Sequence, residues 1–166
     1  MKPTRLTHLA VCAVSAVALT AGAAFAQDPI EVKFTTVSVP TDLHTQAMGV
    51  FKDTLDASEP GAFDIQLYDS GSLFGQNGDL DALQRGNAEM AYVSFQLIAD
   101  AIPKFGLLTA GYLFQDADHY RKFIESDLGA EFKDTVRDEM GIEILSVCYL
   151  GTRQLNLRKA MDVQTP

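Results

Sequence analysis

Segments that alternate apolar and polar residues take turns with segments whose apolar residues recur every three or four positions, and few folds accept that order. Ile30-Glu31-Val32-Lys33-Phe34-Thr35-Thr36-Val37 alternates, the pattern of a strand with one face buried. Pro40-Thr41-Asp42 offers a helix entry, and Ala47, Val50, Phe51 and Leu55 follow at helical spacing until Glu59-Pro60-Gly61 interrupts them. Phe63 to Tyr68 alternates again. A loop from Asp69 to Gly75 leads into a short helix, Asn77 to Gln84, stopped by Arg85-Gly86, and Ala88 to Ser94 reads as a third strand. Pro103, Gly106 and Gly111 interrupt Gln96 to Phe114, which predicts short helical turns and loops. Asp116 to Glu139 predicts two helices hinged near Asp127 to Gly129. Gly141 ends them, and a fourth strand is expected over Ile142 to Tyr149.

Strands alternating with helices imply an α/β domain, a mainly parallel sheet flanked by helices. Ligands of such sheets bind outside the carboxyl ends of the strands. Val37-Ser38, the loop after Tyr68, Ser94-Phe95 and Gly151 to Arg153 all fall at those ends. The chain shows no internal repeat and no low-complexity tract.

The first 26 residues read as a targeting segment. Lys2 and Arg5 precede an uncharged apolar stretch from Leu9 to Thr20, and Ala24-Phe25-Ala26 supplies a small-x-small cleavage signature before Gln27. The stretch is short and alanine-rich for a spanning helix of about 20 residues. Val11 before Cys12 argues against a lipid-anchored cysteine. Removal of 26 residues from 166 leaves 140 and, with Lys2 and Arg5 gone, takes the formal net charge from −9 to −11. That length suits one domain burying roughly 70% of its unfolded surface. The acidity and the lack of a basic stripe argue against nucleic acid as a partner. Cys148 is then the one remaining thiol, so no internal disulfide is expected, and its place in an apolar run predicts a small buried core residue.

Most of the remaining polar residues fit plain structural roles. Ser70-Gly71-Ser72-Leu73-Phe74-Gly75 could turn backbone N–H groups toward an anion, but it lacks a P-loop lysine and reads better as a loop and helix cap. Asp79 and Asp81 are two apart and so point to different faces of a helix, which disfavours paired acid–base chemistry. His44 and His119 have no metal-ligand spacing and are expected on helix surfaces. Asp116 and Asp118 suit a helix start. Arg153 differs, because it stands just past an expected strand end beside Thr152, Gln154 and Asn156. Its guanidinium keeps its charge and presents a planar fork that matches a carboxylate two bonds at a time. Surface ion pairing and an anion clamp both remain open for it.

Several features then recur in a familiar order: the opening strand, Gly71-Ser72-Leu73-Phe74-Gly75, Leu83-Gln84-Arg85-Gly86 and Ala88-Glu89-Met90-Ala91. Phe105 to Phe114, Asp116-Ala117-Asp118-His119, Met140-Gly141-Ile142 and Gly151-Thr152-Arg153-Gln154 follow. In order and spacing over nearly all of residues 30 to 159, the chain resembles the N-terminal portion of TRAP transporter extracytoplasmic solute-binding proteins of the DctP type. The resemblance implies the first lobe of a periplasmic-binding-protein type II-like clamshell, with ligand held between two lobes. It implies a non-enzymatic periplasmic protein, without cofactor or metal, that captures a small organic acid, commonly a carboxylate, for a membrane permease. Arg153 would then pair with ligand, Asn77 and Ser94 would be polar contacts, and Ser38 and Phe95 would line the wall. Ser94 stands where some sialic-acid-binding members carry an acidic residue, and Gly111 stands where the family often has proline. The family continues past a Thr-Pro like Thr165-Pro166 into a second lobe. The chain is therefore expected as a signal peptide over 1–26 and an incomplete first lobe over 27–166, with binding impaired. The binding component of an ABC importer, an exported α/β enzyme and a lone interaction module are the competing readings.

Overall fold

Three parallel strands carry the fold in a computed structural model that describes residues 28–151, 157–159 and 161–162. They are β1 (Ile30–Thr35), β2 (Phe63–Tyr68) and β3 (Met90–Ala91), in the order β2-β1-β3. β1 pairs with β2 from Ile30↔Phe63 to Thr35↔Tyr68, and with β3 at Phe34↔Met90 and Thr35↔Ala91. The helices are α1 (Leu43–Ser58), α2 (Gln76–Gln84), α3 (Phe95–Ala101), α4 (Ala117–Glu125) and α5 (Asp127–Met140). A 3-10 helix, Pro103–Thr109, follows α3. The expected α/β domain with a parallel sheet and flanking helices is what forms.

Period-two alternation gives β1 two buried faces. Val32 and Phe34 meet Met48 and Ile65, with Phe51, Leu55, Phe63, Met90 and Tyr92 around them, beneath α1. Thr35 points the other way, and its hydroxyl reaches Asp79 on α2. On that side α2, α3 and α5 build a second cluster from Leu80, Ile98, Ile102, Phe132, Val136 and Met140. The Phe132 ring stands edge-on to Phe95 and Phe105, with centroids 5.1 and 4.9 Å apart, a favoured aromatic geometry.

Three expectations need correction. α1 turns Met48, Phe51 and Leu55 inward, while Ala47 and Val50 face out, Val50 being 66% exposed. Helical spacing shows that a stripe exists, and the sheet beneath selects which one is buried. Residues 141–151 form no strand. A strand needs a neighbour's ladder, and β3 offers a free edge only two residues long. Ile142 and Ile144 instead lay their side chains on the second cluster. Cys148, expected in the core, is exposed as a consequence.

Candidate functional site

The carboxyl ends of the strands converge on two adjacent threonines, Thr35 and Thr36, which are 0% and 1% exposed. The Thr35 carbonyl accepts from Tyr92 N–H at 3.2 Å, tying down the exit of β3. Its hydroxyl donates to Asp79 Oδ1 at 3.1 Å, tying down the first turn of α2. Thr36 N–H donates to the Tyr68 carbonyl at 2.8 Å, and the Thr36 carbonyl accepts from Gly71 at 3.0 Å. Ser38 N–H then donates to Thr36 Oγ1, while the Ser38 carbonyl accepts from Ser70 N–H and from the Thr45 hydroxyl. Every exit loop is thereby fastened to one pair of residues. Ser70 and Gly71 take φ of 54° and 66° in succession, a left-handed pair that costs a non-glycine residue such as Ser70 about 1 kcal/mol or more.

Four of the expected ligand contacts lie on this frame. Ser38 follows β1 and is half-buried; Asn77 is exposed on the first turn of α2. Ser94 is exposed at the N-cap of α3, with its hydroxyl not used for capping. Phe95, next to it, is held more deeply, its ring between Tyr120 and Phe132. Arg153 lies outside the described residues. Nothing among the exit loops 36–42, 69–75 and 92–94 is a lysine or arginine, so these loops offer hydrogen bonds without positive charge.

The helix starts behave as expected where they cap. Asp116 accepts from His119 N–H at 2.8 Å, and Asp118 pairs with Arg121 and Lys122. Asp81 is exposed and paired with Arg85, whereas Asp79 is buried, so the two carboxylates do face apart. His119 is exposed. His44 departs from expectation, because its ring packs 5.2 Å from Tyr92 and its Nδ1 is shut off from solvent with no partner among the described residues.

An aromatic wall borders the frame. Tyr120 packs on Phe95, Phe114 and Tyr149, and burial together with the nearby Cys148 thiol pushes its phenol up to about 12. Tyr92 is raised by burial first and then by its contact with Cys148. Both phenols therefore stay protonated at neutral pH. Sequence reasoning missed Thr35, Thr36, Asp79, Tyr92 and His44. The Thr-Thr pair ending an otherwise apolar-alternating run was the available signal, since one of the two had to point at a buried face.

Residues 34–163 match the model of the bacterial extracellular solute-binding protein family 7, DctP. The chain is 27% identical over 110 residues to the sialic acid-binding periplasmic protein SiaP of Vibrio cholerae, covering 66% of this chain and 34% of that one. It is 25% identical over 128 residues to a C4-dicarboxylate-binding periplasmic protein of Shewanella loihica, covering 77% and 38%. A TRAP periplasmic solute-binding protein of Roseobacter denitrificans, solved with 3-deoxy-D-manno-oct-2-ulosonic acid bound, superposes with a TM-score of 0.72. There the identity is 35%, over 80% of this chain and 42% of that one. The chain thus spans well under half the length of these relatives. With a family match over residues 34–163, most of its length, the chain belongs to the DctP family of TRAP-type extracellular solute-binding proteins.

Proposed function

We propose that the chain forms one wall of a cleft that captures a small organic acid in the periplasm for a TRAP membrane permease. The observation that carries this reading is the fastening of all three strand exits to Thr35 and Thr36 in a chain of this family. Ser38, Asn77 and Ser94 would offer hydrogen bonds to hydroxyl or carboxyl oxygens. The exit loops hold no cation, so Arg153 would supply the charge that a carboxylate needs, in a bidentate pair. In this reading residues 1–26 are a cleavable export signal, residues 27–166 make an incomplete first lobe, and the protein has no catalytic turnover.

The 35% identity to a protein holding 3-deoxy-D-manno-oct-2-ulosonic acid favours a sugar acid over a short dicarboxylate. Hydroxyl donors and acceptors outnumber charges at the strand exits, which fits a ligand with many hydroxyl groups and one carboxylate. Ser94 adds a neutral hydroxyl to that set.

High-affinity sites are concave and bury most of a ligand. One charge-assisted pair on one wall contributes about 1.5–3 kcal/mol, which corresponds to millimolar binding or weaker. Ligand-observed NMR with 3-deoxy-D-manno-oct-2-ulosonic acid, succinate and L-malate should therefore detect weak binding that Arg153→Ala abolishes. Binding unchanged in Arg153→Ala would refute the carboxylate clamp, and micromolar affinity of the 166-residue chain would refute the one-wall reading.

A further inference from the structure

Asp79 carries a carboxyl group in a place hostile to its charge. The residue is 1% exposed. Its Oδ1 accepts from Thr35 at 3.1 Å, and its Oδ2 is out of solvent with no partner among the described residues. Charged groups on the surrounding elements are engaged elsewhere. On α2, Asp81 pairs with Arg85. Glu89, ahead of β3, accepts from the Lys33 N–H of β1. On α3, Asp100 accepts from Gln96. On α5, Arg137 is held by Asp134 and Glu143, and Lys133 acts on Glu143. Among the described residues, no lysine or arginine forms an ion pair with Asp79.

Burial with a single hydroxyl donor disfavours the charged form of this carboxyl relative to the same group in water. The two oxygens are also unequal. Oδ1 accepts from Thr35; Oδ2 has no donor among the described residues to stabilise a negative charge, and as a hydroxyl it would also lack an acceptor there. The location gives this chemistry a consequence. Asp79 sits two residues after Asn77 in the first turn of α2, and its bond to Thr35 is the side-chain tie between that turn and the end of β1.

We propose that Asp79 is a positioning residue of the binding face, a carboxylic acid that pins the first turn of α2 to the end of β1 and releases it on ionising. The role of Asn77 as a ligand contact rests on the function proposed above; the pin itself does not. Burial raises the Asp79 carboxyl above its ordinary value, and the Thr35 bond opposes this more weakly. The sign follows from linkage. A folded-state value raised above the unfolded one contributes stability that is complete below the unfolded value and is lost as pH rises through the folded value.

The test needs no ligand. Amide hydrogen-exchange protection at Gly78 and Asp79, both donors to the Gly75 carbonyl, is measured in the full chain from about pH 4, near the ordinary aspartate value, to about pH 8. Wild type should lose protection at these amides by about tenfold or more across that range, relative to the α5 amides. Asp79→Asn keeps the Oδ1 acceptor and a donor where Oδ2 was, so its protection should not change with pH. Equal pH dependence in wild type and Asp79→Asn would overturn the proposal. Carbon-13 NMR titration of the Asp79 carboxyl in wild type decides it independently of any variant. A midpoint above the ordinary range that coincides with the loss of protection supports the pin, and a midpoint at or below that range sinks it. If no organic acid binds while these results hold, the cleft reading fails and the pin stands.

Discussion

Gly129 shows how closely one residue can be specified. A Cβ built there would collide with the backbone of α4's last turn, meeting the carbonyl oxygen of Phe123, the carbonyl oxygen of Ile124 at 2.5 Å and its carbon at 2.7 Å. Alanine normally gains about 1 kcal/mol over glycine inside a helix. Here backbone cannot step aside as a flexible side chain would, so the clash wins. Gly129→Ala should lower stability by about 1–3 kcal/mol, the range of core overpacking, read as a fall in the urea midpoint at constant slope. Nothing in the sequence around Asp127-Leu128-Gly129 separates this glycine from an ordinary helix breaker. The same is true of Asp79, whose burial depends on Thr35 arriving from 44 positions away.

At the scale of elements, α4 and α5 are separated by Ser126 alone. Its hydroxyl donates to the Phe123 carbonyl at 2.6 Å, closing α4, and accepts from Gly129 N–H at 3.3 Å, opening α5. Gly141 ends α5 with φ of 69°, the left-handed C-cap that glycine adopts without strain. Ser126→Ala removes both side-chain bonds, so thermal unfolding should show a loss of about 1 kcal/mol, as for other N-cap removals. Restoration by Ser126→Thr would tie the loss to the hydroxyl, and an unchanged midpoint in Ser126→Ala would contradict the cap. The hinge between these helices was legible because caps are local chemistry: Ser126 precedes the apolar period and Gly141 follows it. α1 was legible as a helix but not by face. Its buried stripe runs through Met48, Phe51 and Leu55 because the sheet lies there, leaving Leu43 and Val50 in solvent.

At the scale of the molecule, the segment after α5 has no ladder. Leu145 and Leu150 are 70% and 68% exposed, whereas Phe132, Val136 and Met140 of α5 are buried. Backbone without a ladder whose side chains stand in solvent, as at Leu145 and Leu150, opens at low free energy and is cut first. Brief chymotrypsin digestion followed by mass spectrometry should therefore show first cleavage at Leu145 or Leu150, with α5 intact. Early cuts inside α5 would contradict the packing described. The candidate site belongs to this scale too. Ser38 and Ser94 were readable as strand-end positions from the element order, because parallel sheets present ligands with that edge, whereas Asn77 came only with the family resemblance. The frame that holds them was not readable, since it consists of bonds among loops far apart in sequence.

The sequence by itself determined the order of the first three strands and the helices between and after them, and the breaks that separate them. Those follow from periodicity, caps and turn residues, which act over a few positions. The tertiary structure alone decided that Thr35 and Thr36 gather the strand exits, that Asp79 is buried beside them, and that residues 142–149 join no strand ladder and leave Cys148 exposed. Each of these depends on which distant backbone or side chain arrives to share a hydrogen bond, and no local pattern encodes that arrival.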